Sequence, residues 1–388
     1  MILFCRARAL VLAAAVGALS LGAGSALFGT CGPFTDVAAD VFCPFVLEIF
    51  YLGITTGTTA TTYDPAANVT RLQMAAFLSR TVDGVLKRGS RRAGLDQFWT
   101  TQNSSVLGLT TVAGAGGDCR SDGADIWVAN FGSSVQRVRA SDGKLLETWT
   151  GADNADGVLV AMGRVLATGF SAPGSLFLID PSQPAGAVTT VASNLAGNPS
   201  GIAFDGARIW LAHVSGQSVS IVTPGPSIPW TVTTVLAGIG AFRGAVYDGA
   251  NIWVMDQEFG KLLKLDSSGA ILQTVTVGGS PQHPAFDGTN IWAPNDPSRA
   301  VTVVRASTGA VLQTLTGSGM LGPSNAAFDG QRVLVTDVQG NSVSIWKAAD
   351  LTFLGKFSTG AGSLPVGACS DGLHFWIGLA GTGRLARF

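Results

Sequence analysis

One dipeptide recurs through most of the chain and restricts what it can fold into. Asp-Gly begins at Asp122, Asp205, Asp248, Asp287, Asp329 and Asp371, and a degenerate copy stands at Met162-Gly163. Successive copies lie 40, 43, 43, 39, 42 and 42 residues apart. Five residues after the landmark stand Trp127, Trp210, Trp253, Trp292 and Trp376, with Ala167 in the second copy and Leu334 in the sixth. A period of this size means one supersecondary unit repeated side by side.

Each copy has the same internal order. A run such as "GIAFD" enters the landmark, and "ARIWLAH" or "ANIWVMD" follows it. Next comes "SVSIV", "AVTVVRA" or "SVSIWKA", and then "ILQTVTV" or "VLQTLTG". These runs are short, rich in Val, Ile and Thr, partly alternating, and bounded by turn residues, which is the pattern of strands. Asp-Gly is expected to supply two residues tolerant of positive φ at a hairpin. The tryptophans are expected to pack between neighbouring units. Four strands, seven times over, predict a mainly β fold, a seven-bladed β-propeller over residues 106–388. The last copy stops after its third strand, "GRLARF", while "VLGLTTVAG" at 106–114 precedes the first copy without partners. That N-terminal strand is expected to close the last blade. The 51 glycines and the low charged fraction of 13% suit tight turns between short strands.

This region resembles the YVTN/NHL-like bacterial extracellular propellers. The resemblance implies the fold and leaves the function open, because the architecture hosts binders, scaffolds and enzymes alike.

The N-terminal part reads differently. Arg6 and Arg8 precede an apolar run of small residues, Ala9 to Gly24, and Gly24-Ser25-Ala26 offers a cleavage site. Residues 1–26 are therefore expected to be an export signal. No later stretch is long and apolar enough to cross a bilayer. Residues 27–83 read as a small helical module. Thr70 and Gln73 have the spacing of a capping box, and Met74, Phe77, Leu78 and Val82 follow on one helical face. Phe42, Val46, Ile49 and Phe50 share a face of an earlier helix, with Gly53 placed to end it. Residues 84–105 form a linker made basic by Lys87, Arg88, Arg91 and Arg92.

The module resembles an S-layer homology module. The matching pieces are Phe34-Thr35-Asp36-Val37, Gly53-Ile54-Thr55-Thr56-Gly57, Tyr63-Asp64-Pro65 and Thr70-Arg71-Leu72-Gln73-Met74-Ala75. The resemblance implies attachment to cell-envelope polysaccharide or to surface-layer proteins, with Gly57, Thr70 and Arg71 near the glycan. An arginine suits an anionic sugar, because its planar fork can hold a carboxylate with two bonds. The family's usual acidic residue after Thr-Arg is replaced by Gln73, and one copy stands where three are common.

Export makes disulfides favourable. Cys5 leaves with the signal, and four cysteines remain. Cys119 and Cys369 fall on innermost strands of the first and seventh copies, which become neighbours in a closed ring. A bond there would staple the closure, with two buried thiols as the alternative; Cys31 with Cys43 would be the other pair.

Site candidates come from strand ends that a meander brings to one rim. Strand starts contribute Asp118, Asp156, Ser200, Arg243, Gln282, His283 and Asn325, and second-strand ends contribute Asn130, His213, Asp256, Asn295 and Asp337. Glu258 lies beside Asp256. Asp and Asn at strand ends commonly accept bonds from the next turn. Arg243 and His283 are more informative, standing where other copies carry Gly or small residues.

The sequence holds no Walker-type phosphate loop, no Gly-x-Ser-x-Gly elbow and no His-Glu-x-x-His pair. Three histidines exclude a His-rich metal site, and no cofactor is implied. A net charge of −1 supplies no general field for nucleic acid. The reading is an exported, envelope-associated bacterial protein whose propeller presents a platform to a ligand the sequence does not identify. A propeller lyase or hydrolase with a metal-assisted channel site, and a structural surface-layer component, are the rivals.

Overall fold

The computed structural model describes residues 31, 33–37, 42–51, 54–78, 108–112 and 116–388. The chain divides into two compact units, Met1–Trp99 and Thr100–Phe388. The export segment and the basic linker lie outside the described residues.

The second unit is a ring of seven antiparallel four-stranded sheets. Blade 1 runs through Gly116–Ser121, Asp125–Asn130, Ser134–Arg139 and Leu145–Thr150, from the inside outward. Blades 2 to 6 repeat that order. Blade 7 takes Pro365–Ser370, Phe375–Leu379 and Arg384–Arg387 from the C-terminus and its outer strand, Gly108–Thr111, from ahead of blade 1. Gly108 faces Arg387 and Thr111 faces Arg384, so the expected closure by the N-terminal strand is present.

Burial explains why the second strands read as continuous apolar runs. Ile209–His213, Ile252–Asp256 and Phe375–Leu379 are buried at every position. Each is covered on both faces by neighbouring blades, whereas outer strands such as Val311–Leu315 stay mostly exposed. Each tryptophan fills the space toward the next blade. Trp292 of blade 5 clusters with Ala326, Val333 and Val335 of blade 6, and Trp376 of blade 7 with Cys119, Ile126 and Val128 of blade 1. In blade 2 the turn has the same length, but Met162-Gly163 fills its two central positions, so Ala161 stands where the other blades carry Asp. The register therefore puts Leu166 in the tryptophan's place, not Ala167 as counting from the landmark suggests, and Leu166 packs toward blade 3.

The landmark aspartate has a different task from the one expected. The Asp287 N–H donates to the Asn290 carbonyl, so the hairpin turns on Gly288 and Thr289, with Gly288 at φ 91°. Asp287 itself is an acceptor. Its Oδ1 takes the N–H groups of Thr289 and Asn290 at 2.8 and 2.6 Å, and its Oδ2 takes the Trp292 indole N–H at 2.7 Å. The same indole bond occurs at Asp122, Asp205, Asp248 and Asp371, at 2.8, 2.8, 2.7 and 2.8 Å. One carboxylate thus fastens a turn and satisfies the only polar atom of a fully buried side chain. In blade 6 Asp329 accepts from Arg332 Nε instead, at 2.9 Å, and that guanidinium lies over the Phe375 ring. Only the degenerate copy, Met162-Gly163, places both landmark residues at positive φ.

The ring carries no staple. Cys119 and Cys369 are buried free thiols in one apolar cluster, and the Cys119 thiol faces the Trp376 carbonyl at 3.5 Å. The thiols are accommodated as small apolar side chains with a backbone acceptor in reach.

In the first unit, Cys31 and Cys43 are joined as a disulfide. A helix spans Cys43–Tyr51, and residues 71–78 are helical. Phe34 is the centre of a small core with Val37, Val46 and Cys31, and its ring meets Phe50 edge-on. The Asp36 carboxylate accepts the backbone N–H groups of Tyr63 and Asp64, tying the loop to the first segment. The capping box is present: the Gln73 N–H donates to Thr70 Oγ1 at 3.2 Å, and the Thr70 N–H donates to Gln73 Oε1 at 2.8 Å. Two expected apolar faces differ. Phe42 precedes the first turn of its helix and points outward, 64% exposed, and Met74 and Leu78 are exposed as well.

Replacing Asp287 by Ala should orphan the buried Trp292 indole and the Asn290 amide. Urea unfolding should show a loss of at least about 1–3 kcal/mol. The exposed Asp153→Ala control should stay within about 0.5 kcal/mol.

Candidate functional site

The candidate site is built by an irregularity that six of the seven inner strands share. In blades 1, 2, 3, 4, 6 and 7 the ladder between first and second strands slips after its first pair, as between Gly116 and Cys119 or between Phe242 and Ala245. Two residues of the inner strand thereby bulge out of the ladder. The second strand catches some of the freed donors: Thr168 Oγ1 accepts the Gly157 N–H at 2.8 Å, and Thr336 Oγ1 accepts the Asn325 N–H at 2.9 Å.

The second bulge position is Gly157, Gly201, Gly244 and Gly367 in four blades, for a steric reason. A Cβ on Gly157 would stand 2.3 Å from the Ser200 carbonyl oxygen of the next blade, and one on Gly367 would stand 2.2 Å from that of Gly117. Adjacent inner strands touch backbone to backbone. The same position carries a side chain in blades 1, 5 and 6, as Asp118, His283 and Asn325.

Blade 5 departs furthest. Its inner strand is reduced to Ala285–Phe286. By register His283 would face Pro294, which has no N–H to donate. His283 bridges to the next blade instead: its N–H donates to the Ser324 carbonyl at 3.0 Å, and its carbonyl accepts the Ala326 N–H at 3.1 Å. The imidazole is thus carried on backbone that two blades hold.

Around it lies a group of opposite charges. Arg120 Nη1 donates to Asp118 Oδ1 at 2.8 Å, and Asn325 Nδ2 approaches the same oxygen at 3.4 Å. Ser200 Oγ donates to Asp156 Oδ2 at 2.5 Å. Arg243 reaches from blade 4 to blade 2, where its guanidinium lies over the Phe170 ring, 6.0 Å from the centroid. Among the described residues its buried Nε has no hydrogen-bond partner.

The electrostatics follow from burial and these neighbours. Burial pushes the Asp118 carboxyl up, against the pull of Arg120. Burial also pushes up Asp156, opposed by the Ser200 hydroxyl and the Arg243 charge and reinforced by Asp118. His283 is held well below its ordinary value, first by burial and then by the charges of Arg243 and Arg120. It is a neutral imidazole at physiological pH, with two guanidinium fields bearing on it.

Of the residues expected at the rim, Asp118, Asp156, Ser200, Arg243, His283 and Asn325 come together here. The second-strand ends do not. His213 is fully buried with Nε2 2.8 Å from Ser220 Oγ, and burial lowers its pKa to about 4. Asp256 accepts the N–H groups of Glu258 and Phe259 at 3.1 Å, and Glu258 points into solvent. Asp337 accepts from Leu321, Gly322 and Gly340 and pairs with Lys356 at 3.0 Å. Sequence reasoning missed Arg120 and Phe170. By register the other inner strands carry Leu159, Ala203, Val246, Ala285, Ala327 and Cys369 at the place of Arg120, so a lone cation there was the available signal.

In the first unit, Gly57 has φ 78°, and a Cβ there would meet the Phe34 ring and the carbonyls of Thr62 and Thr59. Thr70 is occupied as a cap, and Arg71 is exposed. Among the described residues no group of three or more His, Cys, Asp or Glu could hold a metal ion. No described helix is long and apolar enough to cross a membrane.

The S-layer homology domain family matches residues 33–75, and the chain carries that domain ahead of its propeller. No curated protein matches the sequence. Among solved structures, a streptogramin B lyase is similar at 12% identity and a TM-score of 0.61, covering 72% of this chain and 96% of its own. A virginiamycin B lyase from Staphylococcus aureus is similar at 13% identity and a TM-score of 0.61, covering 72% of this chain and 98% of its own. A WD40 β-propeller domain is similar at 12% identity and a TM-score of 0.59, covering 72% of this chain and 96% of its own. Identities this low show a shared fold and carry no activity across.

Both buried histidines prefer the neutral form, so folding stability is full above about pH 6.5, the unperturbed value. It should decline as pH falls from there toward the folded value of His213, about 4. Arg243→Met should move the NMR titration of His283 upward, yet leave it below 6.5, since burial is the larger cause.

Proposed function

We propose that this protein is exported and attaches to bacterial cell-envelope polysaccharide through its S-layer homology domain, holding the propeller at the cell surface as a platform for a ligand. The observation that carries this reading is the pairing, on one chain, of that domain at residues 33–75 with a closed seven-bladed ring. S-layer homology domains bind cell-envelope polymers, and the ring supplies a rigid support.

Arg71 is the residue on which the attachment reading rests most. It is exposed beside the Thr70 cap, at the start of a helix that the capping box fixes. A guanidinium there can take an acidic group of a wall polymer with paired hydrogen bonds. Gly57 acts indirectly: its left-handed backbone lets the loop close onto Phe34.

The full-length protein should cosediment with purified cell walls and not with walls stripped of their secondary polysaccharide. Arg71→Ala should weaken retention about tenfold or more, the worth of a charged hydrogen-bond pair, with Arg71→Lys between. Equal retention by stripped walls, or no change in Arg71→Ala, would remove polysaccharide as the partner.

A further inference from the structure

We infer that the cluster of Arg243, His283 and Asp156 on the inner strands binds a small hydroxylated carboxylic acid, of the uronic-acid type. This deepens the reading of the propeller as a ligand platform and rests on it.

Three observations select that chemistry. The first is a cation whose charge reaches Asp156 but whose Nε donor no described residue fills. Arg120 is matched by Asp118 at 2.8 Å, but Arg243 lies on an aromatic ring with its buried Nε unsatisfied. An unpaired buried donor is costly unless something completes it, and a planar guanidinium is completed best by a carboxylate.

The second is the field at His283. Arg243 and Arg120 both act on this neutral imidazole. A single negative group beside it would offset both positive fields at once, and the ring can bond to that group or to a hydroxyl near it.

The third sets the upper limit on ligand charge. Asp118 stands close enough to Asp156 to raise its cost of ionisation. A dianion would add to that repulsion. A monoanion adds less, and hydroxyl groups on it add no charge, while Asp156 and Asn325 offer them an acceptor and an amide.

The placement argues against mere structural use. Four of the seven blades carry glycine at the second bulge position because neighbouring backbone occupies the space. His283 and Asn325 are accommodated there only through altered pairing between blades 5 and 6.

Isothermal titration of the full chain in low salt tests the assignment, with D-glucuronate, D-glucose and inorganic phosphate as probes. Glucuronate should bind at least about tenfold more tightly than either of the others. Arg243→Gln should weaken it about tenfold or more, and Arg243→Lys should recover part of the loss. His283→Asn provides the second variant should Arg243→Gln fail to fold, and it too should weaken glucuronate. Absence of glucuronate binding, equal binding of phosphate, or undiminished binding by a folded variant would each overturn the proposal. Wall cosedimentation separates the two readings. Retention on walls without glucuronate binding sinks the channel site alone, and the converse sinks the attachment alone.

Discussion

The structure depends on closing a ring. Each blade buries its second strand against the next, so an open array would leave two apolar faces in water. The cluster at the seam holds Cys119, Ile126 and Val128 of blade 1 against Trp376 and Leu385 of blade 7. What holds the seam in register is a four-residue strand, Gly108–Thr111, pairing with Arg384–Arg387. Chain from ahead of blade 1 thus ends inside blade 7. The cost of bringing those ends together grows only slowly with the length between them. The free thiols at Cys119 and Cys369 show that apolar burial and one ladder suffice here without a covalent link.

The same closure sets what the centre can contain. Seven inner strands crowd around one axis, and four of them meet the crowding with glycine at the bulge. A side chain at that position needs space made for it. In blade 5 the space comes from prolines: Pro284 and Pro294 cannot donate, and the backbone of His283 turns to blade 6 for its bonds. The polar group at the centre is therefore carried by departures from the repeat.

This explains which parts could be read in the sequence. Strand count, blade number, closure and the inter-blade tryptophans follow from spacing and periodicity, because every blade obeys the same local rules. The role of Asp287 was harder to read. A dipeptide's turn preference is local, but the bond from Asp287 Oδ2 to the Trp292 indole needs the folded hairpin to exist. Leu166 was missed because Met162-Gly163 sits one residue further along its turn than Asp-Gly does in the other blades, which only register reveals. Arg243 and His283 stood out as exceptions, whereas Arg120 hid between apolar residues whose common orientation is set by the bulge. The exposure of Phe42 and Met74 has the same origin, since helical periodicity finds an apolar face and does not say what covers it.

Polar residues in this propeller fall into two kinds, and the difference bears on function. Asp122, Asp205, Asp248, Asp287 and Asp371 each meet an indole and two backbone amides, leaving little capacity for a ligand. At Asp371 burial opposes ionisation, yet the donors from His374, Trp376 and the backbone outweigh it and hold the carboxyl below its usual range. The Asp371 carboxylate contributes stability that is present above the ordinary carboxylate range and lost only in stronger acid. The central group is the opposite case. Its carboxyls are pushed up by burial, its histidine is pushed down, and one guanidinium has no partner for its Nε among the described residues. A closed ring tolerates that imbalance because the repeated clasps hold the blades independently of it. Stability is supplied by what the blades share, and selectivity is left to the few positions where they differ.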